Sequence, residues 1–414
     1  MKPLKIFKTS LFRGSLLILS ANIVANFFNY LYHLVTGRLL ATEQYGLLQS
    51  LLALIAFLGI LAHLFSFSVI NLVIKTNKNT ICSVVKALEK QSLKFSFILW
   101  LVIIISFPLV KSFIHLDNFL LFFIFSLQAF FIFLPIIYQS VLRAKLKFFH
   151  FSLMGIMATF TKFIVAPGLI LAGGKVSGAV GALIISDLTL ILTGRYWINK
   201  FWFKNYKIKN VELKPTFWNF SVLSLITNLS LISLYSSDIL LARHFLAPFS
   251  SGIYASVSVL GKIIFFGAAA VLIAIYPLLV KFSKNSKKFI KIFLAGFLLM
   301  VFITTAGIII FKIFPKNIVF LLYGNKYEDA VSFLPAFSLF ISLLAIFNLF
   351  IHLFLSLEKI IAGWLAGLAA FLQIIFIVFR HETIKVIIEN SIASVTIALI
   401  LSLFWIVKLL HEKR

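Results

Sequence analysis

Among the few ionisable side chains that fall inside otherwise apolar stretches of this 414-residue chain are Lys162, Asp187, Asp238 and Lys262. Charge in a hydrocarbon setting is expensive, so such groups mark ion or substrate pathways by default. Lys162 and Asp187 lie in consecutive stretches that run in opposite directions. At a rise of about 1.5 Å per residue, both sit roughly 16–18 Å deep. Matched depth on neighbouring helices makes them a pair, read either as a structural ion pair or as a lysine turned to a cavity to meet an anion. Lys262, ten residues past Gly252, is also near mid-depth, with no acid of equal depth to answer it. An unanswered buried cation needs water or an anion, unless it snorkels to an interface. Asp238 lies five residues before Arg243, near a helix end, and reads as an ion-coupling carboxylate or an interfacial acid. Arg38 and Arg243 stand at helix ends, where arginines snorkel or gate a mouth.

A second group is neutral. Asn22, Asn26, Asn29 and His33 are spaced to share one helix face. A polar stripe on an apolar helix turns away from lipid. It reads as a cavity lining that hydrogen-bonds a polar substrate, or as glue between helices. Asn228 is the corresponding group in the second half of the chain.

The elements that must position these groups follow from composition. Hydrophobic residues make up 62% of the chain, charged residues 12%, and the mean hydropathy is +1.09. A soluble domain is about 45–50% apolar and about 25% charged. The expected fold is therefore an all-α polytopic membrane protein. Twelve apolar spans are placed near 14–37, 45–74, 93–114, 118–141, 151–173, 176–197, 218–242, 252–280, 292–314, 330–356, 360–379 and 388–409. The remainder is too short for a separate catalytic domain, so no enzyme, catalytic residue, cofactor or metal site is expected. The single cysteine, Cys82, excludes an intrachain disulfide and any CxxC site. Pro167, Pro277 and Pro335 fall inside spans and are expected to kink them. A polar, amphipathic stretch between Lys75 and Lys94 reads as a surface helix, and the longest polar link runs from Asn199 to Phe217.

The net charge of +26 resolves by membrane side. With the N-terminus inside, cytoplasmic segments hold 27 Lys and Arg and external segments hold 9. That bias predicts a multi-pass protein of the inner (plasma) membrane with both termini cytoplasmic. The positive charge then serves topology and contact with anionic membrane lipids, and nucleic acid is not an expected partner.

The chain carries a faint internal repeat. A shift of 206 residues places Asn22 on Asn228, Leu40 on Leu246, Ala41 on Ala247 and Gly46 on Gly252. Six spans follow in each half, which predicts parallel repeats divided as 1–204 and 205–414, with substrate held between the halves near the midplane.

At the turn between the first two spans, Arg38-Leu-Leu-Ala-Thr-Glu-Gln-Tyr-Gly46 resembles the first external loop of bacterial lipid-linked oligosaccharide flippases. These belong to the multidrug/oligosaccharidyl-lipid/polysaccharide exporter superfamily. Asp238 to Gly252-Ile-Tyr254, Gly173-Gly-Lys-Val-Ser-Gly-Ala179 and Tyr323-Gly-Asn-Lys-Tyr327 are similar too. The resemblance spans nearly the whole chain and rests on the order and spacing of these segments. It implies two six-helix lobes around a V-shaped central cavity. The implied cargo is an oligosaccharide on an undecaprenyl pyrophosphate carrier, moved from the inner to the outer leaflet for cell-surface polysaccharide biosynthesis. It also implies H⁺ or Na⁺ as coupling ion and the polysaccharide polymerase machinery as a partner. On that reading Lys162 meets the pyrophosphate.

Two alternatives accompany it. A cation-coupled multidrug exporter of the same superfamily wants acidic cavity walls, whereas two intramembrane acids here face two lysines. A membrane glycosyltransferase or polymerase wants catalytic groups on large external loops, and here the external loops are short.

Overall fold

The computed structural model describes residues 2–77, 80–203 and 222–412. Its helices are α1 (Lys2–Leu39), α2 (Thr42–Lys75), α3 (Ile81–Ile105), α4 (Phe107–Ile114), α5 (Phe119–Phe131), α6 (Phe133–Ala144), α7 (Phe148–Leu169) and α8 (Lys175–Ile198) in the first half. The second half holds α9 (Val222–Phe245), α10 (Pro248–Lys281), α11 (Ser286–Ile313), α12 (Pro315–Tyr323), α13 (Ala330–Ser356), α14 (Ile361–Phe379) and α15 (Ile384–Glu412). In a bilayer every backbone N–H and C=O must be satisfied within the segment, so apolar runs of this length fold as helices.

Among the described residues nine helices are long and apolar enough to cross a membrane. The count is ten if α3 and α4, bent by 56° at Ser106, make one span. One of the nine, Phe148–Trp202, contains two spans, because the chain turns at Gly173 and α7 and α8 then pack side by side. Gly173 has φ 94°, a conformation that is easy only for glycine. With α1, the architecture is an all-helical bundle of about twelve spans.

Local chemistry sets the breaks. Asn118 caps α5 by accepting a hydrogen bond from the Leu121 N–H at 3.0 Å, and Asn285 caps α11 by accepting from Lys288 N–H at 3.1 Å. Pro248 and Pro315 open α10 and α12, where a missing N–H costs nothing. Pro277 and Pro335 lie inside α10 and α13, and both helices continue through them. Pro167 lies near the end of α7, just before a wide π-type turn at Ile170–Gly174.

One local expectation is corrected. The stretch after Lys75 is not a separate surface helix: Ile81 to Lys94 forms the start of α3, continuous with the span. Its apolar face, Ile81, Val84, Val85 and Leu88, is buried in a core with Phe65, Val69, Ile137, Val141 and Met154. Of the link from Asn199 to Phe217, residues 204–217 lie outside the described residues.

The chain divides into two compact units: Met1–Leu40 with Leu58–Phe220, and Ala41–Phe57 with Ser221–Arg414. In the first, α1 packs on α7, α7 on α8, and α5 and α6 on α8. In the second, α10 packs on α11 and α13, α9 on α14, and α15 on α13 and α14. The opening residues of α2 therefore belong to the second unit and the rest of α2 to the first.

Candidate functional site

Each unit encloses a polar cluster within its apolar spans. In the first unit, Lys162 on α7 reaches α1, where its Nζ donates to Asn29 Oδ1 at 2.6 Å. The ammonium also stands 4.6 Å from the centre of the Tyr32 ring, a favourable cation–π placement. Tyr32 is fixed in turn: it is 1% exposed and its hydroxyl donates to the Ala179 carbonyl of α8 at 3.1 Å. Asp187 on α8 accepts a hydrogen bond from Gln128 Nε2 on α5. Lys162 and Asp187 thus make no direct ion pair; each charge is held by a neutral amide, and the two remain within Coulombic reach. Both side chains are only half-buried. The Gln128 carbonyl oxygen and the Tyr30 hydroxyl are buried without a hydrogen-bond partner.

The stripe on α1 is graded. Asn22 and Asn26 are exposed, while Asn29 and His33 are half-buried. His33 stacks edge-on against Tyr32, with ring centres 5.5 Å apart. The sequence stripe therefore joins the lysine through Asn29. Gln128 was not singled out from sequence, although it is a solitary amide in an apolar run, the same signal that marked the asparagines.

In the second unit, Asp238 of α9 is 0% exposed. Its Oδ2 accepts from the Tyr254 hydroxyl of α10 at 2.8 Å, and its Oδ1 has no hydrogen-bond partner. Ser391 of α15 approaches the Tyr254 hydroxyl. Gln373 of α14 donates from Nε2 to Ser391 Oγ at 3.1 Å and to the Leu234 carbonyl of α9 at 3.1 Å, leaving its own Oε1 without a partner. Four helices are thereby joined by one chain of hydrogen bonds. It carries two buried acceptor oxygens that no donor answers. Such oxygens are expensive to leave empty, and a proton or a small cation would answer them.

Lys262 of α10 lies 5.9 Å from the centre of the Tyr235 ring and within Coulombic reach of Asp238. Sequence depth alone gave it no acid; the packing of α9 on α10 supplies one. Tyr254, Ser391 and Gln373 were likewise not anticipated.

The remaining sequence candidates lie elsewhere. Arg243 is 6% exposed and donates to Ser251 Oγ at 3.2 Å, with Glu43 in Coulombic reach. Beside it Tyr45 and Tyr323 share a hydrogen bond of 2.8 Å between hydroxyls, and the Tyr327 ring leans on both. Arg38 and Asn228 are exposed at the surface of their helices.

Neither a protein-family model nor a curated protein sequence matches the chain. Solved structures do. A multidrug resistance MATE family transporter of the MOP superfamily, in its inward-facing conformation, superposes with a TM-score of 0.79 at 14% identity, over 96% of this chain and 98% of that one. The lipid II flippase MurJ, in an inward closed conformation, gives 0.68 at 16% identity, over 92% of this chain and 86% of that one. A MATE structure in the bent conformation gives 0.64 at 14% identity, over 98% and 96%. Over nearly its full length, then, the chain has the fold that MATE transporters share with the MurJ flippase.

Proposed function

We propose that the chain is a secondary transporter of the inner (plasma) membrane. Its cargo is a lipid-linked oligosaccharide on an undecaprenyl pyrophosphate carrier, moved from the inner to the outer leaflet. The observation that carries this reading is the presence, in each unit, of a half-buried lysine within the spans, Lys162 and Lys262. A pyrophosphate loses its hydration on crossing, and its negative charge then needs compensation by cations. Two intramembrane lysines supply that, where a cationic cargo would be repelled. The exposed amides Asn22 and Asn26 suit sugar hydroxyls. Asp238, with its unanswered oxygen, is the seat of the coupling ion, H⁺ or Na⁺.

The fold shared with MATE transporters favours a second reading, export of small molecules driven by a cation. Reconstitution separates the two. Proteoliposomes would be loaded in the inner leaflet with a fluorescent undecaprenyl pyrophosphate oligosaccharide and probed with an impermeant lectin. Lectin access that rises with an imposed H⁺ or Na⁺ gradient supports the flippase. Gradient-driven efflux of a cationic dye with no change in lectin access supports the exporter.

A further inference from the structure

Where α6 hands over to α7, opposite the end of α8, basic and aromatic side chains interleave outside both polar clusters. The His150 ring lies 4.3 Å from that of Trp197 and 4.8 Å from that of Phe201, centre to centre. Lys147 Nζ rests 4.5 Å above the Phe201 ring, and Lys200 Nζ 5.2 Å above the Trp197 ring. Among the described residues neither ammonium has a hydrogen bond or a carboxylate partner; each stands over an aromatic ring face. The His150 Nδ1 atom is buried and also without a partner.

Two lysines converging on one aromatic shelf repel each other, while the positive N-terminus of α7 and the negative C-terminus of α8 roughly cancel there. Among the described residues no carboxylate is paired with either ammonium, so the two charges leave the shelf complementary to an anion. The surroundings specify what kind. Leu146, Phe149 and Tyr196 are 50%, 58% and 57% exposed beside it. A soluble anion has no use for such apolar flanks, whereas an amphiphile places its headgroup on the lysines and its chains along them. The shelf also lies at the ends of spans α7 and α8, the depth at which headgroups and aromatic belts meet.

We infer that Lys147 and Lys200, seated on Phe201 and Trp197, bind the phosphate headgroup of an anionic phospholipid whose acyl chains lie along Phe149 and Tyr196. This is a lipid site of unit one, separate from the transported cargo, and it stands or falls independently of what is carried.

Native mass spectrometry of the purified full chain in detergent tests it, using phosphatidylglycerol and phosphatidylcholine of identical acyl chains. The wild type should retain phosphatidylglycerol preferentially. Each basic residue near an anionic surface is worth about fivefold in binding, so Lys147→Gln with Lys200→Gln should weaken phosphatidylglycerol about twenty-five-fold and leave phosphatidylcholine unchanged. Lys147→Arg with Lys200→Arg should keep the preference. The pair Lys111→Gln with Lys385→Gln, which removes lysines already bridged to Asp117 and Glu389, should have no effect. Equal retention of the two lipids by the wild type would overturn the site, as would an unchanged preference in the glutamine pair. Displacement of phosphatidylglycerol by excess inorganic phosphate would assign the shelf to a free anion and overturn it too. The wild-type comparison and the phosphate competition decide the matter even if the glutamine pair folds poorly.

Discussion

Gly46 of α2 and Gly252 of α10 meet backbone to backbone. A Cβ built on Gly46 would stand 2.9 Å from the Gly252 Cα, and one built on Gly252 would stand 2.0 Å from the Thr42 carbonyl oxygen. No side chain fits there without displacing backbone. Gly252→Ala should therefore destabilise the second unit by about 1–3 kcal/mol through overpacking. Gly267→Ala, placed in open space on the same helix, should be neutral to slightly stabilising. Thermal melts of the two variants in detergent check this; equal melting temperatures for Gly252→Ala and wild type would contradict the close contact.

Asp238 and Tyr254 give a second test. Asp238→Asn removes the charge that the proposed coupling ion needs, and Tyr254→Phe removes only the donor to Oδ2. A hydrogen bond to a charged group is worth about 1.5–3 kcal/mol. Asp238→Asn should abolish the gradient dependence of transport in proteoliposomes, while Tyr254→Phe should shift the half-saturating ion concentration roughly tenfold or more. Retained gradient dependence in Asp238→Asn would remove Asp238 from coupling.

The first unit responds differently. Lys162→Gln leaves the half-buried Asp187 beside Gln128 without its compensating cation, which is destabilising. Membrane yield should fall in Lys162→Gln and recover in Lys162→Gln with Asp187→Asn, without recovery of transport. Immunoblots of membrane fractions and a transport assay read the two effects separately. Recovery of both would make the pair purely structural.

The 27-to-9 distribution of Lys and Arg predicts the orientation. Reporter fusions after Asn210 and after Arg414 should both report cytoplasm. A periplasmic signal from either would reverse or break the assigned topology.

Much of the architecture was legible in the sequence because a bilayer leaves the backbone few options. The 206-residue shift found from four matched residues reappears in the helix ends. α2 spans Thr42–Lys75 and α10 spans Pro248–Lys281, both 34 residues, and α1 and α9 end at Leu39 and Phe245. The short helices α4 and α12 also occupy corresponding places. The polar clusters do not obey the repeat: the shift carries Tyr32 onto Asp238. That is why sequence symmetry gave no guide to the partners. Lys162 and Asp187 matched in depth, yet each found a neutral amide on another helix, Asn29 of α1 and Gln128 of α5, as its hydrogen-bond partner. Depth was likewise blind to Asp238 beside Lys262, because α10 is long and a lysine side chain reaches along it. Gln373 and Ser391 come from the last two spans, and only tertiary packing of α14 and α15 on α9 carries them to Asp238.

The sign of charge at the two lysines tests the central claim most directly. Glycan surface display would be measured in a flippase-deficient host, at matched protein levels, for Lys→Arg and Lys→Gln variants of Lys162 and Lys262. The account predicts that the arginine variants keep much of the display and that each glutamine variant abolishes it, since charge rather than size compensates the pyrophosphate. Full display by both glutamine variants would contradict the cationic mechanism and favour the small-molecule exporter.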